Sequence, residues 1–146
     1  MNLIIDKGNT FCKIAIFNHQ IKQPDYVINV ENSKLTVALI KEVLVSFPQT
    51  NSVIVSSVSG LPWEFTEFFQ QNFSIYIETN WQTPVPIINK YTTPQTLGFD
   101  RLAAAVGGTV LFPNRNLIVF DAGTALTVEV VNANHEYLGG NISPGL

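Results

Sequence analysis

Two short segments carry side chains suited to holding phosphate. Near the N-terminus the apolar run Leu3-Ile4-Ile5 is closed by Asp6-Lys7-Gly8-Asn9-Thr10, and far along the chain Leu117-Ile118-Val119-Phe120 is closed by Asp121-Ala122-Gly123-Thr124. A carboxylate at the end of a buried strand, followed by a glycine and by hydroxyl or amide side chains in a tight turn, suits nucleotide phosphates. Gly8 and Gly123 let backbone N–H groups approach phosphate oxygens, Asn9, Thr10 and Thr124 can donate hydrogen bonds, and an Asp can hold a cation directly or through water. Either loop alone fits an ordinary hairpin turn equally well, because Asp, Asn and Gly abound there for conformational reasons. The recurrence of the pattern weighs against that reading and implies a duplicated architecture, one hairpin per half.

A third group, Gly98-Phe99-Asp100-Arg101, follows Pro94 at the start of a helical stretch. In one reading Asp100 is a base that accepts a hydroxyl proton during phosphoryl transfer, and Arg101 holds an anionic substrate group through its planar fork. In the other, Asp100 is a favourable charge near a helix N-terminus and Arg101 its ion-pair partner. Spacing alone favours the second. Cys12 reads as a packed strand residue, since no His stands beside it in sequence to activate a thiolate. His19 and His135 fall at turns without metal-ligand spacing, and the Trp63, Phe65, Phe68 and Phe69 group reads as core.

These residues need a scaffold to position them. Residues 3–5 and 11–17 form a hairpin across the glycine-bearing turn, and 26–30 supplies a third strand. Asn32 or Ser33 is the expected N-cap of a helix carrying Leu35, Leu39, Val43 and Phe47 at helical spacing. A buried strand over 52–58, a helix opening at Pro62 and a strand over 73–77 follow. Pro94 precedes a long helix over 95–112, and then come strands at 117–120, 126–131 and 136–138. That order predicts an α/β fold with a mixed sheet flanked by helices. The last three strands would form a sheet with no following helix to cover it, leaving Ile118, Phe120, Val128 and Val130 short of partners, so the expectation is that this surface associates, with itself or with a separate remainder, or that the chain is an incompletely represented protein.

Composition excludes several function classes. The 146 residues are 46% hydrophobic, enough for a core, and the net charge of −3 with 13% charged residues supplies no basic footprint for nucleic acid. One cysteine cannot form an internal disulfide. No window reaches the roughly 18 apolar residues of a membrane span, and the opening run is too short for a signal peptide. The expectation is a cytoplasmic protein without nucleic-acid or membrane partners.

Asp6-Lys7-Gly8-Asn9-Thr10, Ser56-Ser57-Val58, Tyr91 ahead of Gly98-Phe99-Asp100-Arg101, Asp121-Ala122-Gly123-Thr124 and Gly139-Gly140-Asn141-Ile142-Ser143-Pro144-Gly145 occur in the order found in type III pantothenate kinases, and the chain resembles that family along its whole length. The resemblance implies phosphorylation of pantothenate by ATP, the first step of coenzyme A biosynthesis. It also implies the fold of the actin, hexokinase and Hsp70-type ATPase superfamily: a first ribonuclease H-like domain over 1–114 and the start of a second, incomplete one over 115–146. By motif, Asp6, Lys7, Gly8, Asn9, Thr10, Phe11, Cys12 and Lys13 would form the ATP phosphate loop, with Thr124 a second ATP contact. Tyr91, Gly98, Phe99, Asp100 and Arg101 would contact pantothenate, with Asp100 the general base. Asp121 would ligate a monovalent cation, potassium or ammonium, while magnesium would arrive with the ATP. The resemblance further implies a homodimer, and family members that extend well beyond Gly145, so that the 146-residue segment alone is expected to be inactive. Lys7 departs from the family, which commonly has an apolar residue there. The rival readings are another phosphotransferase of the same superfamily, acting on a sugar or acetate, and a non-catalytic binding or regulatory fragment.

Overall fold

The computed structural model describes residues 1–18 and 23–145; His19 lies outside them. The chain divides into two compact units, Met1–Thr79 and Asn80–Leu146.

The first unit is a five-stranded mixed sheet of order β3-β2-β1-β4-β5. Strands β1 (Asn2–Lys7) and β2 (Phe11–Phe17) form the expected hairpin, in register from Asn2 opposite Phe17 to Lys7 opposite Cys12. β3 (Tyr26–Glu31) extends the meander, while β4 (Ser52–Ser57) and β5 (Ile75–Glu78) add parallel to β1. Alternation decides the faces. Leu3 and Ile5 on β1, Cys12, Ile14 and Ile16 on β2, and Val53 and Val55 on β4 are buried in one core. Helices α1 (Val37–Ser46) and α2 (Trp63–Asn72) supply that core with Ile40, Val43, Phe65 and Phe69. Each such side chain withdrawn from water contributes about 1.5–3 kcal/mol before entropy is counted.

Two local features differ from expectation. The N-cap of α1 is Thr36, whose hydroxyl accepts from the Leu39 N–H at 3.1 Å, and not Asn32 or Ser33. Residues Asn32–Lys34 form a 3-10 turn instead, and Leu35 is extended behind it. Trp63 does not join the aromatic core: it stands at the first position of α2, largely exposed, while Phe65, Phe69 and Phe73 are buried in tilted and edge-on contacts.

The second unit carries a four-stranded sheet of order β6-β9-β8-β7. β7 (Leu117–Ala122), β8 (Ala125–Val131) and β9 (Glu136–Pro144) form an antiparallel meander like β1-β2-β3, as the internal repeat implies. β9 is longer than expected, and the short β6 (Ile88–Asn89), which periodicity does not reveal, pairs parallel to its start. The helix expected over 95–112 is divided. Pro94–Thr96 make a 3-10 turn, Leu97 is extended and buried, and helix α3 (Phe99–Leu111) starts after Gly98.

α3 packs on the sheet of its own unit, with Leu102 and Ala105 in one core with Val131 and Tyr137. The sheet expected to be bare is therefore covered on the face of Leu117, Val119 and Glu129. The opposite face keeps Ile118 and Phe120 exposed, whereas Val128 and Val130 are partly covered.

Candidate active site

In the first unit the chemistry-bearing residues gather at one end of the β1-β2 hairpin. Asp6 stands opposite Lys13 on β2 and beside Ser56 on β4, so the three share one face of the sheet. The turn is closed by the Gly8 N–H donating to the Phe11 carbonyl at 3.0 Å. Asn32 pins it from outside, its side-chain amide donating to the carbonyls of Gly8 and Asn9 at 2.9 and 3.0 Å, and its own N–H to the Thr10 carbonyl at 3.0 Å. Asn9 and Thr10 are exposed, and their N–H groups make no backbone hydrogen bond among the described residues. Two successive N–H groups without a backbone partner among the described residues, flanked by an amide and a hydroxyl, suit a phosphate oxygen.

Lys7 has a definite place: its ammonium donates to the Ser59 hydroxyl, in the turn that follows β4. A cation in the neighbouring turn therefore belongs to the same end of the sheet. Phe11 and Lys13 are exposed on β2, whereas Cys12 is fully buried beneath them. Burial, with the Asp6 carboxylate adding to it, pushes the Cys12 thiol up to about 11, against a smaller opposing pull from Lys7. Cys12 thus contributes packing under the loop, and no thiolate.

In the second unit Gly98 is the N-cap of α3 and Asp100 lies in the first turn, exposed, its Oδ1 accepting the Arg101 N–H at 2.9 Å. A methyl group at position 98 would sit 2.3 Å from that same oxygen. The glycine is what leaves room for the carboxylate to fold over the helix start. Phe99 packs into the core beneath.

Arg101 does not form the ion pair with Asp100 that spacing suggested. Its Nε and Nη2 donate to the two carboxylate oxygens of Glu129 on β8 at 2.7 and 2.9 Å, a bidentate pair. Glu129 is wholly buried, and its Oε2 also accepts the Tyr137 hydroxyl. The Glu129 contact holds the guanidinium even more firmly protonated than usual, while burial followed by the Glu129 bond pushes the Tyr137 phenol well up. Tyr91 completes the cluster: its ring lies 6.3 Å from that of Tyr137 and against Gly139, whose φ of +109° suits glycine alone. Tyr91 and Gly98 to Arg101 are thus neighbours of one buried network.

The second phosphate-type loop sits at the far end of this sheet. Asp121 is opposite Thr127 near the end of β7, the Gly123 N–H donates to the Ala125 carbonyl at 2.9 Å, and the Gly145 N–H donates to the Thr124 carbonyl at 3.0 Å. Asp121 and Thr124 are both exposed. The hard oxygen donors of Asp121 and Thr124 fit a cation of the alkali or alkaline-earth type. No group of three or more His, Cys, Asp and Glu stands together among the described residues.

Sequence reasoning missed Asn32, Glu129 and Tyr137. Asn32 gives no signal, being more than twenty residues from the loop it pins. Glu129 does: between Thr127 and Val131 it occupies the inward-facing phase of a strand, where an acid requires a partner.

The sequence model of the type III pantothenate kinase family matches residues 2–146. Curated relatives named type III pantothenate kinase include one from Flavobacterium johnsoniae, 37% identical over 146 residues, covering 100% of this chain and 58% of the relative. One from Phocaeicola vulgatus is 38% identical with the same coverage. One from Porphyromonas gingivalis is 42% identical over 147 residues, 99% of this chain and 57% of the relative. The chain therefore spans less than two thirds of the length of these relatives.

Proposed function

The chain belongs to the type III pantothenate kinase family, and from that premise we propose that the full-length protein transfers the γ-phosphoryl group of ATP to the primary hydroxyl of pantothenate. The observation that carries the reading is the pairing of an exposed carboxylate, Asp100, with a guanidinium held rigidly by Glu129 at the adjacent position. Phosphoryl transfer needs chiefly alignment and neutralisation of charge, with little covalent work for the protein. Asp100 accepts the hydroxyl proton as the bond to phosphorus forms, a late and modest demand on its carboxylate. Arg101 holds the pantothenate carboxylate, with Tyr91, Gly98 and Phe99 shaping the surroundings.

The segment from Asp6 to Lys13 is proposed to hold the ATP phosphates: Asn9 and Thr10 through side chains and backbone N–H groups, Lys7 and Lys13 through charge. Thr124 is a second ATP contact. Asp121 would ligate a monovalent cation and magnesium would accompany the nucleotide, both supplying positive charge to the phosphates. A ribonuclease H-like architecture of the actin and hexokinase kind is proposed for the full-length protein, in a cytoplasmic homodimer, with its domain boundary near residues 114 and 115, a position different from the Thr79/Asn80 division of the compact units. No helix among the described residues is long and apolar enough to cross a membrane.

The test is ATP-dependent phosphorylation of a panel of pantothenate, hexoses and acetate by the full-length protein. Phosphopantothenate as the dominant product is expected. Phosphorylation of a hexose or acetate in its place, or of nothing, overturns the reading.

A further inference from the structure

Arg101 has five N–H groups, of which two, on Nε and Nη2, are engaged by Glu129. That is the side-on edge of the guanidinium. The end-on edge, formed by Nη1 and the far hydrogen of Nη2, makes no hydrogen bond among the described residues. It is geometrically a second fork, able to take another carboxylate with two parallel bonds.

The acid that occupies the side-on edge is unusual in its placement. Glu129 is 0% exposed and its side chain faces the core phase of β8, whereas the Arg101 side chain retains 12% exposure. Both carboxylate oxygens are engaged, one of them twice, by Arg101 and by Tyr137. Tyr137 is itself buried and in ring contact with Tyr91. An acid held by a strand, a phenol and a packed core cannot follow a moving arginine, so the arginine is fixed to it.

We propose that Glu129, braced by Tyr137, is a positioning residue that clamps the side-on edge of Arg101 and thereby presents the end-on edge as a preset fork for the carboxylate of the acceptor substrate. The proposal rests on the pantothenate kinase reading and adds the residues that set substrate recognition in it. An arginine side chain free in solvent loses considerable rotamer freedom when it binds. Here that ordering is completed during folding, and the substrate meets a fork already aimed. The Tyr91 to Tyr137 contact extends the same brace to a second residue of the substrate group.

A purely structural ion pair, joining α3 to β8 and nothing more, would lower stability when broken but would leave the two Michaelis constants in their original ratio. The test therefore compares full-length wild type with Glu129→Gln and Tyr137→Phe, measuring kcat, KM for pantothenate, KM for ATP, melting temperature and direct pantothenate binding by calorimetry. Gln at 129 keeps the shape but turns an amide N–H toward the guanidinium. KM for pantothenate is expected to rise roughly 10-fold to 100-fold, with KM for ATP little changed and calorimetric affinity falling in parallel. Tyr137→Phe removes one bond and should raise the same constant about 2-fold to 10-fold.

A pantothenate KM within twofold of wild type in Glu129→Gln, or a rise shared equally by both substrates, overturns the positioning role. If Glu129→Gln does not fold, Tyr137→Phe decides by the same criteria. Failure of the wild type to phosphorylate pantothenate overturns the functional reading itself, and the wild-type arm distinguishes that from failure of the clamp.

Discussion

A carboxylate in the first turn of a helix can cap the helix, meet a substrate, or do both, and Asp100 has an oxygen for each. Oδ1 accepts the Arg101 N–H while the residue as a whole stays exposed. Asn at this position keeps an acceptor for the helix but no proton acceptor of adequate basicity. Asp100→Asn in the full-length protein is therefore expected to lower turnover by roughly 10² to 10⁴ while KM for ATP and melting temperature hold. Steady-state kinetics and a melt on the same preparation check this, and unchanged turnover would remove the base assignment. Asp121 and Thr10 are expected to separate by role. Asp121→Ala should weaken cation dependence and turnover together, whereas Thr10→Ala should mainly raise KM for ATP; kinetics with the cation varied check the division. Cys12 gives a third expectation, set by burial. Its thiol is raised from 9.0 to about 11, so the uncharged form stabilises the fold fully below pH 9.0 and that contribution is lost as pH rises through about 11. Alkylation by iodoacetamide at pH 8 should label Cys12 only after denaturation, and chemical denaturation at several pH values should show a Cys12-dependent loss of stability in the alkaline window.

At the scale of elements, α3 ties the proposed substrate group together because it begins where it does. Pro94 fixes a 3-10 turn, Leu97 is buried in extended conformation, and Gly98 caps the helix with the room that Asp100 needs. A helix starting at Gln95 would carry Asp100 into its second turn, away from the N-terminal N–H groups. Ala at position 98 would bring its Cβ to 2.3 Å from the Asp100 Oδ1, and the carboxylate can swing aside because it is the end of a flexible side chain. Gly98→Ala is thus expected to lower kcat by about 10-fold, with stability changed by no more than ~1 kcal/mol. A urea titration beside the kinetic assay checks both halves, and an unfolded variant with normal kcat per folded molecule would contradict them. The β1-β2 hairpin shows the same dependence of a loop on a distant element, since Asn32 in the turn after β3 holds three carbonyls of residues 8–10.

For the whole molecule, the telling feature is the uneven treatment of the two faces of the second sheet. One is closed by α3, while the other leaves Ile118 63% and Phe120 65% exposed on β7, an edge strand. Adjacent exposed apolar side chains on a sheet edge favour association. Residues 1–146 produced alone are expected to sediment as more than a monomer at micromolar concentration, and Ile118→Lys with Phe120→Lys to return them to monomers; sedimentation velocity checks this, and a wild-type monomer would refute it. Much of the fold was legible without the structure. The two strand-turn-strand loops follow from β-branched runs closed by Asp, Gly and Thr, and the helices from apolar spacing, because φ/ψ preference and periodicity act over a few residues. The duplicated meander was legible too, as a repeat. What only the tertiary structure decided is who faces whom: Glu129 rather than Asp100 as partner to Arg101, 28 residues away, Asn32 as the brace of the first loop, and α3 as the cover of the second sheet. Such pairings depend on strand register and on the summed packing of a core, which no local stretch of sequence contains.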